Sequence, residues 1–457
     1  MTSGTDHYRA LASELMASQQ ALIDARRQMK FDTIAVHGLY DFQQALANQG
    51  SIIEPIYASA SQAFENSDHM EVALAYEMPA WIYTRTANPT NGYLEGLLAL
   101  LEGYGYDGPV TCCATGSGMS AVAMATDPFI VRDESLGPPN IVASAKCYGG
   151  TFQLFSVRYE QERGIEVRWV RDELNLDEWA SKIDENTRFV YGEMPSNPSL
   201  AVFDIHGLAE IAHANGIPLI VDSTVATPAL MRPLAHGADI VVHSVTKAMT
   251  GGGMGVAGAV IARGDIPSRV GSDEMKANFA LYVKGLTYRD YGPALSPFNA
   301  LQAINEIRTL RSRVAHMSRN ALKVAQFLNR HPAVAQVNYP GLSTFVGYKL
   351  ARQYMWLVDG DMEAGAPVNS FGHLLSFEPV GGAAAARRVM DRLQLIFRAT
   401  DLGRVKTVAT IPAISTHQQQ GETGRDLADV SPALIRLSVG GEHPDDIIAD
   451  LDQALSE

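Results

Sequence analysis

The sequence ADIVVHSVTKAMTGGG, residues 238–253, decides the fold of this chain. An apolar run ends in the hydroxyl side chains of Ser244 and Thr246, and Lys247 follows them directly. An ammonium group loses its hydration at the end of a buried strand, so a lysine is costly to place there without a chemical task. The three glycines behind it allow the backbone to turn closely. The stretch therefore predicts a buried strand that presents a reactive lysine.

Similar apolar runs precede this strand between residues 140 and 261 and alternate with helical segments. They lack polar alternation, which is typical of a mostly parallel sheet covered on both faces: NIVAS, IEVRWV, RFVYGE and IPLIVD. A helix is predicted over residues 6–30, and further strand–helix pieces follow residue 290. We predict an N-terminal arm and helix (1–80), a large sheet domain (81–290) and a smaller C-terminal α/β domain (291–457).

Composition narrows the class of protein. The formal net charge of −14 argues against nucleic acid or an anionic membrane as a partner, because both attract basic patches. Three cysteines, two of them adjacent, provide neither a disulfide framework nor a metal-ligand spacing. The N-terminal segment lacks an apolar signal core, and no uncharged stretch approaches membrane-spanning length. A metal-free cytoplasmic protein is expected.

Distinctive polar residues end three of the predicted strands. Glu193 and Asn197 follow one, Asp222 ends the next, and Lys247 follows the third. Ligands of open parallel sheets bind at the carboxyl ends of the strands. Taken singly, each residue could instead be a helix cap or a turn residue. Three such ends close together favour a binding site.

The segment TCCATGSGMSAVAMAT, residues 111–126, reads as a strand, a glycine turn and a helix start, which together form an anion site. Its spacing Gly116-x-Gly118-x-x-Ala121 also matches a loose dinucleotide fingerprint, so a nicotinamide-dependent oxidoreductase is a rival hypothesis. That fingerprint requires an acidic residue after the next strand. Lys146 and Tyr148 stand there instead.

A different ligand, pyridoxal 5′-phosphate, accounts for these features together. It requires a lysine for its aldehyde, a carboxylate beside its ring nitrogen, a phosphate cup and an aromatic face. The sequence offers all four, in this order: Lys247; Asp222; the Gly118 and Met119 amides with Ser244 and Thr246; and Tyr148.

At this point the sequence resembles a known family. Seven blocks carry the resemblance: FDTIAVHG (31–38), YTRTANPTNGYLEGLLALLEG (83–103), GSGMSA (116–121), YGGTFQLF (148–155), DIVVHSVTK (239–247), LSPFNALQ (295–302) and IRLSVGGE (435–442). The family is that of the pyridoxal-phosphate-dependent enzymes of cysteine and methionine metabolism, the trans-sulfuration enzymes. It includes cystathionine γ-synthase and γ-lyase, methionine γ-lyase and O-acetylhomoserine sulfhydrylase.

The resemblance implies a type-I pyridoxal-phosphate transferase fold and a role for each matching residue. Lys247 would carry the cofactor and move protons, Asp222 would pair with the ring nitrogen, and Tyr148 would stack on the ring and assist the leaving group. Asn197 would lie near the ring hydroxyl oxygen. The phosphate would be bound by Ser117, Gly118, Met119, Ser244 and Thr246.

Three further residues concern the substrate and the assembly. By resemblance, Arg436 would bind the substrate α-carboxylate. Tyr83 and Arg85 would reach the phosphate of a neighbouring subunit, with Tyr83 also near the substrate. The expected assembly is therefore a homotetramer, a dimer of dimers with shared active sites.

The expected reaction is γ-replacement on an O-activated homoserine, as in O-acetylhomoserine sulfhydrylase, within methionine biosynthesis. The alternative is a γ-lyase acting on methionine, cystathionine or a guanidinooxy amino acid such as canavanine. One departure bears on this choice. Where relatives carry serine or asparagine before Leu-Gly, this chain has Asp401, which we expect in the substrate pocket.

Overall fold

The computed structural model describes residues 4–131 and 136–456, and seven strands of this part form a central sheet. In chain order they are β1 (Val110–Thr115), β2 (Asn140–Ser144), β3 (Glu166–Val170), β4 (Thr187–Glu193), β5 (Leu219–Asp222), β6 (Ile240–His243) and β7 (Gly258–Arg263). Their spatial order is β1-β7-β6-β5-β4-β2-β3. Strands β2 to β6 run parallel, as predicted. Strand β7 lies antiparallel between β1 and β6.

The central strands are buried along their whole length, which explains their continuous apolar runs. Every residue of β2, β4, β5 and β6 is buried. Helices cover both faces, as in other parallel sheets. The helices of this larger part are α1 (Gly4–Arg27), α2 (Phe31–His37), α3 (Phe42–Ala47), α4 (Ser67–Leu74), α5 (Pro89–Glu102), α6 (Gly118–Thr126), α7 (Gly149–Gln153), α8 (Leu176–Ser181), α9 (Ile205–Ala214), α10 (Thr227–Leu230), α11 (Asp273–Ala277), α12 (Phe279–Val283) and α13 (Arg289–Tyr291).

A second, five-stranded sheet lies in the C-terminal part of the described chain. Its strands are β8 (Val334–Asn338), β9 (Leu374–Pro379), β10 (Phe397–Arg398), β11 (Val408–Thr410) and β12 (Ile435–Ser438), in the order β10-β11-β12-β9-β8. The helices of this part are α14 (Pro297–Ile307), α15 (Leu310–Leu328), α16 (Tyr348–Tyr354), α17 (Asp361–Ala364), α18 (Gly382–Arg392), α19 (Gly421–Leu427) and α20 (Pro444–Leu455). The two sheets match the predicted architecture. The domain boundaries remain a prediction. Residues 1–3 of the predicted N-terminal segment and residue 457 of the predicted C-terminal domain lie outside the described chain.

Short 3₁₀ helices and π-helices are also present in the described chain. The 3₁₀ helices are Asp127–Phe129, Pro233–His236, Ala248–Thr250, Pro412–Ile414 and Gln418–Gln420, and the π-helices are Leu154–Gln161 and Lys284–Tyr288. Helices α14 and α15 follow each other closely in the chain but are two separate helices. The Thr309 N–H donates to Glu306 O, three residues back, and this tighter turn separates them.

Two features are absent from residues 4–131 and 136–456, a membrane-spanning helix and a metal-binding cluster. No helix there is long and apolar enough to cross a membrane. No group of three or more histidine, cysteine, aspartate or glutamate side chains in that part could hold a metal ion. All three cysteines are buried free thiols.

Candidate active site

The three polar strand ends predicted from the sequence lie side by side at one edge of the large sheet. Strands β4, β5 and β6 are parallel neighbours, and Glu193 is in register with Asp222. Lys247 follows β6 by four residues, after a turn in which its N–H donates to Ser244 O. Because parallel strands end at the same edge, their carboxyl ends form one site.

Lys247 meets Asp401 at this edge. Its Nζ lies 2.8 Å from Asp401 Oδ1, and both side chains are about one-third exposed or less. The other carboxylate oxygen contacts Arg404, which also donates to Thr246 O and Thr250 O at 2.6 and 2.7 Å. Burial alone would raise the pKa of Asp401, but the hydrogen bond and charge of Lys247, with those of Arg404, lower it. Asp401 is therefore a carboxylate beside Lys247, the predicted reactive lysine.

Asp222 is a buried carboxyl group at the end of β5. Its Oδ1 accepts a hydrogen bond from the Thr224 N–H at 3.0 Å, and Tyr191 approaches Oδ2 at 3.5 Å. Burial raises its pKa. A buried carboxylate without a cation is unfavourable, so a protonated ring nitrogen is a suitable partner.

The proposed phosphate end is formed where helix α6 starts. The Ser117 side chain caps this helix by accepting from the Ser120 N–H at 3.1 Å. Amides in a first helical turn have no partner within the helix, and here they belong to Gly118 and Met119. A Cβ at Gly118 would lie 2.5 Å from Ser244 Cβ, so this glycine allows the helix start to meet the lysine loop.

Thr246 differs from the other residues predicted for the phosphate. Its hydroxyl donates to Ala257 O and accepts from the Ala257 N–H, both at 3.0 Å. The hydroxyl hydrogen is thus used within the protein. If Thr246 is to donate this hydrogen to a phosphate, its hydrogen bond to Ala257 O must first break.

Glu193 connects Tyr148 to Asn197. Its Oε2 accepts from the Tyr148 N–H at 2.7 Å, and its Oε1 accepts from the Asn197 N–H at 2.8 Å. Burial, reinforced by the nearby Asp222, raises the pKa of Glu193. The sequence marked Glu193 as a strand end but assigned it no role in the site. The structure shows that it holds two predicted site residues in place.

Replacing Glu193 by glutamine is expected to lower the free energy of unfolding by about 1–3 kcal/mol, because an amide nitrogen must then face one of two buried N–H donors. Denaturant unfolding would measure the change. Glu178→Gln is a matched control, because Glu178 also accepts from two backbone N–H groups, those of Arg171 and Asp172, but is more exposed. Equal losses in both variants would contradict a special role for burial at Glu193.

Arg436 on β12 enters the same site from the small sheet. Its Nη1 donates to Asn197 Oδ1 at 3.0 Å, and its Nη2 donates to Thr400 O and Asp401 O at 2.9 and 2.7 Å. The side chain is 1% exposed, and its Nε has no partner within the described structure. Burial lowers its pKa to about 10, so it is charged at neutral pH. A buried cation with a free N–H suits a substrate carboxylate.

Tyr83 and Arg85 lie apart from these residues. Tyr83 is 45% exposed, and the Arg85 guanidinium lies 5.7 Å from the centre of its ring. Arg85 also donates to Arg289 O. Among the described residues, no hydrogen bond joins either side chain to the surroundings of Lys247.

These residues fit pyridoxal phosphate. The site contains a lysine, a buried carboxyl group one strand away, and a helix start whose glycine closely approaches Ser244. Tyr148 and Met119 both lie beside Gly150, which places the aromatic ring near the helix start. A sheet of this topology with this set of side chains defines a pyridoxal-phosphate-dependent enzyme.

Comparisons with known proteins support this class of enzyme. The family model for Cys/Met metabolism PLP-dependent enzymes matches residues 32–456. An O-acetyl-L-homoserine sulfhydrylase of Leptospira meyeri is 36% identical over 455 residues, which cover 94% of this chain and 97% of that protein. An L-methionine gamma-lyase of Fusobacterium nucleatum subsp. polymorphum is 36% identical, with 89% and 94% covered.

A solved structure is also similar. A Campylobacter jejuni protein, provisionally assigned as an O-acetylhomoserine (thiol)-lyase and containing N′-pyridoxyl-lysine-5′-monophosphate, superposes with a TM-score of 0.83. It is 34% identical, with 94% of this chain and all of that chain covered. This chain belongs to the Cys/Met metabolism PLP-dependent enzyme family. The cofactor and the fold class are as predicted, and the nicotinamide hypothesis is wrong.

Proposed function

We propose that this enzyme catalyses γ-replacement on an O-activated homoserine such as O-acetylhomoserine, with a sulfide or thiol as the incoming group. The similarity to O-acetylhomoserine sulfhydrylases over most of the chain supports the reaction class. The observation that carries the proposal is Arg436, a buried cation with a free Nε beside the reactive lysine's partner, Asp401. It suits the α-carboxylate of an amino acid.

Each residue then has a defined task. Bound pyridoxal phosphate supplies an electron sink for the substrate Cα. Arg436 would orient the carboxylate. Lys247 Nζ would take a proton from Cα, release it to the conjugated system that the bound cofactor supplies, and so be free to take a second proton from Cβ. Asp222 would pair with the ring nitrogen through its buried carboxylate. Tyr148, fixed by Glu193, delivers a proton to the leaving group at Cγ.

A γ-lyase is the second candidate function. It is favoured by the similarity to methionine γ-lyases and by the carboxylate of Asp401 in the site. Without a competent nucleophile, the γ-substituent leaves and the remaining four-carbon unit is protonated and hydrolysed by water to 2-oxobutanoate and ammonia, or water adds at Cγ to give homoserine. The substrate would then be methionine, cystathionine or a cationic guanidinooxy amino acid such as canavanine.

A substrate panel separates the two functions. Purified holoenzyme is incubated with O-acetylhomoserine, O-succinylhomoserine, methionine, cystathionine and canavanine, each with and without sulfide. Formation of homocysteine from O-acetylhomoserine, dependent on sulfide, would support the sulfhydrylase. Production of 2-oxobutanoate from another member at a higher rate, independent of sulfide, would support the lyase.

Replacing Asp401 by asparagine or serine is expected to change the order of substrate preference. A carboxylate favours cations within about 4–6 Å and disfavours anionic groups. The variants should lose kcat/KM selectively with canavanine and gain relative activity with O-succinylhomoserine. An unchanged order in both variants would show that Asp401 does not contact the γ-substituent.

We further propose a cytoplasmic homotetramer with shared active sites. The three buried free thiols suit a reducing compartment. Large apolar side chains are exposed in the N-terminal part of the described chain, among them Phe42 (73%), Ile52 (85%) and Trp81 (45%). Exposed apolar side chains of this kind suit an interface between subunits.

Arg85→Ala is expected to weaken cofactor retention, because Arg85 would bind the phosphate held by the neighbouring subunit. Mixing this variant with Lys247→Ala should restore activity, since a hybrid dimer contains one site with both residues intact. Activity and cofactor content are measured after exchange of subunits. If exchange is demonstrated and activity is not restored, the shared site is disproved.

A further inference from the structure

Arg404 joins three groups around the reactive lysine. Its Nε contacts Asp401 Oδ2, and its Nη1 donates to Thr246 O and Thr250 O, on either side of Lys247 in the chain. The Arg404 side chain is 13% exposed. One side chain therefore fixes both the carboxylate and the loop that carries the lysine.

The segment that carries Asp401 is itself seated on the lysine loop. Asp401 Oδ1 accepts from the Leu402 N–H at 2.9 Å as well as from Lys247 Nζ. Gly403 has a φ of +73°, and a Cβ there would lie 2.4 Å from Ala248 N. This close approach leaves no room for another residue type. The remaining freedom of the Asp401 carboxylate is its side-chain rotation, which Arg404 restricts.

We propose that Arg404 is a positioning residue, which holds Asp401 Oδ1 against Lys247 Nζ and thereby sets the direction from which the lysine amino group moves protons. The role in proton transfer rests on the proposed function, whereas the role in orienting the amino group does not. Arginine suits this task because its planar fork serves several acceptors in fixed directions, and lysine has no such fork.

Arg313 is a matched control. It also holds the lysine loop, since its Nη2 donates to Ala248 O and Met249 O at 2.8 and 3.1 Å. Its other contacts are with Glu306 and Thr309, and no hydrogen bond or ion pair between Arg313 and Asp401 is found in the described chain. If the arginines act only by holding the loop, replacing either one should have the same effect. If Arg404 acts through Asp401, only replacing Arg404 should have an effect.

The first measurement uses the full-length chain without cofactor. The rate at which an N-hydroxysuccinimide ester acetylates Lys247 is followed by mass spectrometry in the wild type, Asp401→Asn, Arg404→Lys, the double variant and Arg313→Lys. An ion-paired ammonium group reacts slowly. Lys247 should react about tenfold faster in Asp401→Asn and in Arg404→Lys than in the wild type. This factor corresponds to a loss of 1.4 kcal/mol from the stabilisation of the Lys247 ion pair. The double variant should match Asp401→Asn, and Arg313→Lys should match the wild type.

The second measurement uses the holoenzyme. Arg404→Lys should lower kcat about tenfold with little change in KM, since the substrate carboxylate is bound elsewhere. No further loss is expected when Asp401 is already asparagine. Arg404→Gln serves as a second variant if Arg404→Lys unfolds, as judged by circular dichroism.

Acetylation of Arg404→Lys at the wild-type rate would overturn the proposal. The proposal would also be overturned if Arg404→Lys accelerated acetylation of Lys247 equally in the wild-type background and in the Asp401→Asn background. Acetylation requires no turnover, so this outcome does not depend on whether the proposed reaction is correct. Failure of the proposed reaction would instead be revealed by activity of Lys247→Ala.

Discussion

Replacing Lys247 by alanine is expected to reduce turnover at least about a thousandfold while leaving the fold intact. General base catalysis alone contributes about 10²–10⁴-fold, and the variant also loses the covalent attachment of the cofactor. The structure explains why folding should survive. Asp401, the ion-pair partner of Lys247, keeps Arg404 as its counterion.

The measurement compares product formation and thermal unfolding of Lys247→Ala with those of the wild type. Lys406→Ala is a suitable control, because Lys406 is exposed and its Nζ lies over the ring of Phe397 rather than in the site. We expect the control to keep its activity. Turnover of Lys247→Ala within about tenfold of the wild type would mean that another group removes the Cα proton, and would end the proposed mechanism.

Arg436→Lys is expected to raise KM for the amino-acid substrate at least about 30-fold, with a smaller change in kcat. Losing a buried, hydrogen-bonded partner of a charged group costs about 2–5 kcal/mol, and each 1.4 kcal/mol is tenfold. Lysine keeps the charge but cannot donate to Asn197, to the loop carbonyls and to a carboxylate at once.

A substrate analogue that lacks the α-carboxylate provides the test of cause. The wild type should discriminate strongly against this analogue, and Arg436→Lys should discriminate much less. Equal discrimination by both enzymes would show that Arg436 does not bind the carboxylate. Steady-state kinetics with both compounds, together with an unfolding curve for the variant, separate binding from misfolding.

The sheet was predictable because its strands are buried on both faces. Buried parallel strands have sequences that are short apolar runs, and β2, β4, β5 and β6 follow that rule. The direction of β7 was not predictable, because an apolar run carries no information about direction. Its antiparallel pairing with β1 and β6 depends on contacts between distant segments.

The site was predictable where its residues act through their own position at a strand end or helix start. Lys247 and Asp222 were assigned to the candidate site in this way, and the structure places them at the same edge of the sheet. Arg404 and Glu193 were not assigned to the site, because several of their partners are backbone atoms. Arg404 donates to carbonyl groups of residues 154 and 158 positions earlier, and Glu193 accepts from two N–H groups. Any residue type supplies such backbone partners, so no motif announces them.

The long separation of the site's contacts has a consequence for biogenesis. Arg436 meets Asn197 across 239 residues, and Asp401 meets Lys247 across 154. A nascent chain thus contains Lys247 well before Asp401 and Arg436 are synthesised. Domains generally fold as units during synthesis, the N-terminal ones first. The contacts between Asp401 and Lys247 and between Arg436 and Asn197 can therefore form only after translation has passed residues 401 and 436.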